Sequence, residues 1–191
     1  MNLSDFELIQ KVQKGDAQAF EELVYRYDEK VLNMALSFRN SADDAKDIYQ
    51  EVFIRAFKGL KNFKFKSEFS TWLYRITSNV CISYNDKKNR TNHDSIDKRI
   101  NDGEDSATFA DLIEGTEKTD SKVIGSEIGS KIKAALDTLP SQQKLAFTLK
   151  FYEELKIKEI AEIMNCAEGT VKRYLFNATN KMKNHLKRIY D

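Results

Sequence analysis

The sequence predicts an all-α protein: two small helical domains joined by a flexible acidic linker, the C-terminal one containing a helix-turn-helix. Three observations carry this. Apolar residues recur at spacings of three and four through both ends of the chain. The 191 residues include one proline and seven glycines, the latter mostly at element ends, which favours helices over sheet. From about Thr91 to Lys122 the periodicity stops, and Asp, Asn, Ser, Thr and Gly dominate. The expected division is therefore 1–90, a linker over 91–125, and 126–191. Charge follows the same partition, at +2, −5 and +4 for a net of +1. Two mildly basic ends on an acidic middle fit two nucleic-acid modules joined by a spacer.

Each helix has its own signals. Ser4-Asp-Phe-Glu7 has capping-box spacing, Leu8, Ile9 and Val12 follow, and Gly15 is placed to end the helix. Asp16 can cap a longer second helix with Phe20, Leu23, Val24, Tyr27, Val31, Ala35 and Phe38 inward. Ser41-Ala-Asp-Asp44 offers another capping box. Behind it Ala45, Ile48, Tyr49, Val52, Phe53, Ala56, Phe57 and Leu60 form the cleanest amphipathic stripe of the chain. Asp43, Asp44, Asp47 and Glu51 precede Arg55, Lys58 and Lys61, the order that the helix dipole favours.

A short aromatic and basic loop, Asn62-Phe-Lys-Phe-Lys-Ser-Glu-Phe69, comes next. A fourth helix starts near Ser67 to Ser70 and runs inward through Trp72, Leu73, Ile76, Val80 and Tyr84 to the basic Lys87-Lys-Asn-Arg90. Within the linker only Phe109 to Ile113 has the makings of a helical turn. The second half begins near Ser126 with Ile128, Ile132, Ala135, Leu136 and Leu139 as its stripe. Pro140 breaks that helix and suits the first turn of the next, which carries Leu145, Ala146, Leu149 and Tyr152 inward.

The stretch from Lys156 to Leu175 reads as a helix-turn-helix. Ala161 is small where two helices must approach closely, and Asn165, four residues on, tolerates the left-handed backbone of the turn. Val171, Leu175 and Ala178 continue an inward stripe, which leaves Lys172, Arg173, Phe176 and Asn177 on the outer face. Lys or Arg can donate to guanine, Asn can bridge adenine, and an aromatic edge can touch a thymine methyl. Glu168 at the start of that helix is a capping acid. Lys181, Lys183, Lys187 and Arg188 suit phosphates, though a solvated basic face accounts for them equally well.

Other classes of function find little support. His93 and His185 are isolated, and Cys81 and Cys166 stand alone within helical patterns. There is no Gly-rich phosphate loop, no metal-ligand spacing and no nucleophile motif, so neither catalysis, cofactor nor metal is expected. No apolar run approaches the roughly 18 residues of a membrane helix, and the N-terminus lacks signal-peptide features. Membrane insertion is not expected, and the cytoplasm is the expected location. A two-domain DNA-binding regulator that needs no other machinery stays open on these grounds.

Asp43-Asp-Ala-Lys-Asp-Ile-Tyr-Gln-Glu-Val-Phe53, Ser67-Glu-Phe-Ser-Thr-Trp-Leu-Tyr-Arg-Ile76, Leu139-Pro-Ser-Gln-Gln143, Ile160-Ala161 and Gly169-Thr-Val-Lys172 occur together in this one short chain. Together they resemble the extracytoplasmic-function (ECF) group of sigma factors, over nearly everything except the linker. The resemblance implies a transcription initiation factor that binds core RNA polymerase, directs it to promoter DNA and promotes opening, with a promoter-melting domain and a promoter-docking domain.

By that resemblance Asp47, Gln50, Glu51 and Phe53 of the third helix, with Ile54 as an addition, contact core polymerase. Phe63, Lys64, Phe65, Lys66 and Ser67 form a loop that captures a flipped base of the minus-ten element, with Asn79 on the adjoining helix. Many relatives carry Arg-Gly-Asp where this chain has Lys64-Phe-Lys66, so their base preference does not carry over. Trp72 reads as core rather than as a stacking platform. Thr170, Lys172, Arg173, Phe176 and Asn177 are the implied minus-thirty-five readers. The acidic linker would thread the polymerase towards the RNA exit path. An anti-sigma factor is implied as a further partner, covering the polymerase-facing helix or wedged between the domains.

Overall fold

The structure is a computed structural model, and it describes residues 3–38, 41–94 and 121–190. Every regular element among them is helical: α1 (Asp5–Gln13), α2 (Ala17–Phe38), α3 (Ala42–Leu60), α4 (Phe69–Asp94), α5 (Ser121–Asp137), α6 (Ser141–Phe151), α7 (Ile157–Met164) and α8 (Glu168–Tyr190). The ends of the expected linker are thus helical, with α4 running past residue 90 and α5 starting before residue 126. The turn expected at Phe109 to Ile113 lies outside the described residues.

Local chemistry sets the boundaries. The Ser4 hydroxyl oxygen accepts from the Glu7 amide at 3.3 Å, and Glu7 Oε2 accepts from the Ser4 amide at 2.8 Å, which completes the capping box. Backbone contact holds the Glu7 carboxyl below its ordinary pKa, with the Ser4 hydroxyl adding to it. Gly15 ends the first helix at φ +97°, a region that favours glycine. Asp16 accepts from the Ala19 amide at 3.2 Å, and Ser41 accepts from the Asp44 amide at 3.4 Å. Pro140 is the N-cap of α6, one residue before the first turn that the sequence had suggested.

α1 to α4 pack around Leu8, Ile9, Leu23, Val31, Met34, Ile48, Val52, Leu60, Leu73 and Val80. This core does not close on itself. Leu145, Leu149, Ile160, Ala161, Ile163 and Val171 from the C-terminal half belong to the same apolar cluster, and α4 lies against α7 and α6. A smaller cluster of Ala135, Leu136, Leu139, Ala178 and Met182 ties α5 to α8. Tyr152, expected inward on α6, is 48% exposed. It is the C-cap residue of α6, where the chain leaves the helix and the helical stripe no longer governs where side chains point.

Polar contacts fasten the two halves. Tyr74 Oη donates to Glu153 Oε2, Arg75 Nη2 donates to the Glu162 carbonyl at 2.8 Å, and Asn85 Nδ2 donates to Ser141 Oγ at 2.8 Å. Thr148 Oγ1 donates to Ser37 Oγ at 3.3 Å. Lys144, almost fully buried, pairs with Asp137 at 2.6 Å and holds its ammonium 5.6 Å from the Phe38 ring centroid.

Candidate polymerase and promoter interfaces

The outer face of α3 is built by helical spacing. Asp47 and Gln50 are exposed one turn apart, and Glu51 is half-buried. Glu51 Oε1 pairs with Arg55 Nε at 2.6 Å, an i,i+4 pair on a wet surface worth about 0.3–0.5 kcal/mol. Ile54 follows at 48% exposure and Phe57 at 45%. Phe53 does not belong to this face. It is 8% exposed and meets the Tyr49 ring edge-on at 4.9 Å, because its position falls on the buried stripe with Val52 and Ala56. As a surface contact Phe53 is therefore corrected to a core residue, and the apolar side chain presented beside Gln50 is Ile54. Phe57, expected inward, turns out to solvent and lies 4.9 Å from Phe20.

The loop between α3 and α4 stands on an aromatic floor. Phe63 is buried, 5.0 Å from Trp72 and 6.4 Å from Phe69, so it supports the loop from beneath. Gln13 Nε2 donates to the carbonyls of Leu60 at 2.9 Å and Phe63 at 3.0 Å, which pins the start of the loop to α1. Gly59 is required beneath it, because a Cβ there would lie 2.8 Å from Trp72 Cζ2. Trp72 is half-buried among these rings, as its core reading expected.

Phe65 takes φ +54°, a left-handed backbone uncommon for a bulky residue, and its ring is 37% exposed. Lys64 and Lys66 are exposed on either side, and Ser67 is half-buried. A cavity of about 350 Å³ opens here, lined by Phe63, Phe65, Lys66 and Ser67 together with Asp5 and Phe6 of α1. Asp5 is held in place, accepting from Arg26 Nη1 at 2.9 Å and from Tyr27 Oη at 2.5 Å. Burial first, and then the hydrogen bond to Asp5, push the Tyr27 hydroxyl well above its ordinary pKa, so it stays a donor.

Asn79 is not brought to this loop. It lies ten residues into α4, about 15 Å along the axis, and is exposed at a cleft of about 380 Å³ shared with Arg75, Gln142 and Asn165. That cleft separates the two halves.

In the helix-turn-helix, Asn165 is the C-cap of α7 at φ +50°, ψ +50°, the left-handed turn that its side chain favours, and the Cys166 amide donates to the Ala161 carbonyl at 3.0 Å. Ala161 and Val171 are buried in one cluster where α7 meets α8, and Ala178 is buried against α5, so these contacts fix which face of α8 looks out. That face presents Lys172, Arg173 and Phe176, the last 68% exposed, with Thr170 and Asn177 half-buried beside them. Lys181, Lys183 and Lys187 extend the exposed basic surface along α8. The side chain of Arg188 lies outside the described residues. α7 meets α4 on its opposite side, through the Glu162 carbonyl, so the outward face of α8 stays open.

Sequence reasoning missed two groups. Phe6 completes the loop cavity from a distant helix, and Tyr74, Arg75 and Glu153 join the halves. Neither gives a local signal, since the partners are separated by 59 to 87 residues.

Comparison with known proteins places both halves in one family. Residues 23–91 match the family described as Sigma-70 region 2, and residues 130–182 match Sigma-70, region 4. The ECF RNA polymerase sigma-E factor of Escherichia coli is 34% identical, over 95% of this chain and 94% of its own. The RNA polymerase sigma-H factor of Pseudomonas aeruginosa is 33% identical, over 91% of this chain and 89% of its own. Among solved structures, CnrH in complex with the cytosolic domain of CnrY superposes with TM-score 0.68 at 19% identity, over 96% of this chain and 97% of that one. The sigma factor RpoE of Bartonella quintana, solved with the anti-sigma factor NepR, gives 0.67 at 23% identity, over 90% of this chain and 98% of that one. These two likenesses bear on the fold alone. The chain belongs to the sigma-70 family of RNA polymerase sigma factors, in its extracytoplasmic-function group.

Proposed function

We propose that this sigma factor binds core RNA polymerase, directs it to a specific set of promoters and promotes opening of the duplex, with no chemistry of its own. Residues 1–90 carry polymerase binding and minus-ten work, 91–125 form the acidic connection, and 126–191 read the minus-thirty-five element. The observation that carries this reading is one chain holding both an open basic-aromatic face on α8 and an aromatic cavity beside Lys64 and Lys66. Asp47, Gln50 and Glu51, with Ile54 in place of Phe53, are the polymerase contacts. Phe65, Lys64, Lys66 and Ser67 take a flipped minus-ten base above the Phe63 floor, and Asn79 reaches DNA once the halves part. Thr170, Lys172, Arg173, Phe176 and Asn177 dock on the minus-thirty-five major groove.

An anti-sigma factor is the proposed further partner. The Bartonella quintana sigma factor of the same fold was solved with the anti-sigma factor NepR, and that likeness of fold makes a partner of this kind the one to test. No described helix is long and apolar enough to cross a membrane, in keeping with a proposed cytoplasmic place of action. The test is run-off transcription from a genomic promoter library with purified core polymerase, with and without this protein. Transcripts from a small promoter set, lost in a Lys172→Ala/Arg173→Ala variant, are expected. If the protein neither bound core polymerase nor initiated transcription, a standalone DNA-binding regulator would replace this reading.

A further inference from the structure

We infer that Phe6, on the first helix, is a base-contacting residue of the minus-ten cavity: the captured base displaces the Phe6–Phe65 ring contact and stacks on Phe6. The inference rests on the reading of the α3–α4 loop as the base-capture loop and adds a wall supplied by another element.

Phe6 stands outside the buried face of its helix. Leu8, Ile9 and Val12 point into the core at 8% exposure or less, whereas Phe6 is 52% exposed. Its ring centroid lies 4.7 Å from that of Phe65, itself 37% exposed, and the two rings are tilted by 51°. The two rings, one from α1 and one from the loop, meet at the surface above buried Phe63 and form an aromatic patch there. Here the patch borders the cavity of about 350 Å³, with Lys66 on its lining and Lys64 exposed next to Phe65. The lining also carries the carboxylates of Asp5, which Arg26 and Tyr27 engage, and of Glu68. Aromatic faces hold an unstacked base, and the ammonium groups beside them suit its phosphates.

The two walls differ in how firmly they are held. α1 is capped at Ser4 and seated by Ile9 and by the Asp5 contacts to Arg26 and Tyr27, so Phe6 is presented from a fixed base. Phe65 sits on a strained left-handed backbone in a loop. A base between two rings needs about 3.5 Å on each face, so the rings must part to roughly 7 Å. Phe65 is the ring that moves, and Phe6 is the platform.

The test uses holoenzyme assembled from core polymerase and full-length chain, on a promoter identified by run-off transcription. The probes are single-stranded non-template oligonucleotides carrying 2-aminopurine at each minus-ten position in turn. Phe6→Leu keeps apolar bulk and removes the aromatic face, and Phe6→Trp keeps the face. Phe6→Leu is expected to weaken single-strand binding by roughly five- to a hundred-fold, the range for losing one base stack. It should also relieve 2-aminopurine quenching at one position, with core binding and minus-thirty-five duplex binding unchanged. Phe6→Trp should restore both readouts. Wild-type affinity and quenching in Phe6→Leu, alongside a loss in Phe65→Ala, would overturn the role of Phe6 and leave the capture loop standing. Wild-type binding in both Phe6→Leu and Phe65→Ala would overturn the loop reading as well.

Discussion

Phe65 shows how function can be written against local preference. Nothing in Lys64-Phe-Lys66 signals a left-handed residue, because the residues that take φ > 0 easily are Gly and Asn, and Phe is neither. At Asn165 the reverse holds: residue type and backbone agree, and the turn was legible in the sequence. The strain of a side chain in the left-handed region is on the order of 1–2 kcal/mol. The ring contacts of Phe65 with Phe6 at 4.7 Å and Phe63 at 5.2 Å return an amount of similar size, about 0.5–1.5 kcal/mol each. Phe65→Gly relieves the first and forfeits the second. Its stability in urea denaturation should stay within about 1 kcal/mol of wild type, while single-strand binding by the holoenzyme falls at least as far as in Phe65→Ala. A large loss of stability would instead make Phe65 a structural residue.

α3 marks how far periodicity can be read. Eight apolar residues at spacings of three and four predict one inward stripe. Six of them are buried, Tyr49 is half-buried and Phe57 points to solvent. A helical face somewhat wider than 100° cannot hold all eight, and a pattern of hydrophobic letters does not say which edge is wet. Periodicity places Phe53 inward, where it lies, and only the resemblance to sigma factors puts it among the surface contacts; Ile54, one residue on, is the exposed neighbour of Gln50. The structure makes the two positions separable by experiment. Phe53→Ala should destabilise the fold by about 3–5 kcal/mol, the usual range for emptying a buried aromatic site. Ile54→Ala, at 48% exposure, should leave the thermal midpoint nearly unchanged and weaken binding to core polymerase in a pull-down or anisotropy titration. Tight core binding by Ile54→Ala would remove the apolar part of the proposed α3 contact.

At the scale of the whole molecule, sequence patterns gave the helices, the helix-turn-helix and the acidic break, but not the packing of one half on the other. Tyr74 and Glu153 are 79 residues apart and Arg75 and Glu162 are 87 apart, so no spacing rule could pair them. Glu153 makes this contact dependent on pH. Burial pushes its carboxyl above the ordinary range, and Glu29 adds to the shift, while the Tyr74 hydroxyl and Lys30 oppose it without cancelling it. A carboxyl with a raised pKa in the packed state binds its proton more tightly there than when the halves are apart. Packing is therefore favoured most below the ordinary carboxylate value, weakens as pH rises through the raised one, and levels off above it. Tyr74 keeps its proton throughout, because burial first and then Glu153 raise its pKa far above neutrality. Glu153→Gln removes the charge but keeps an acceptor for Tyr74, so it should hold the halves together at neutral pH and flatten the dependence. The measurement is energy transfer between dyes on the exposed positions Lys46 and Lys172, followed from pH 7.5 down to pH 4.5. Wild type should close progressively as pH falls, and Glu153→Gln should start closed and stay there. Identical profiles for the two proteins would mean that the apolar contact of α4 with α6 and α7 alone sets the arrangement.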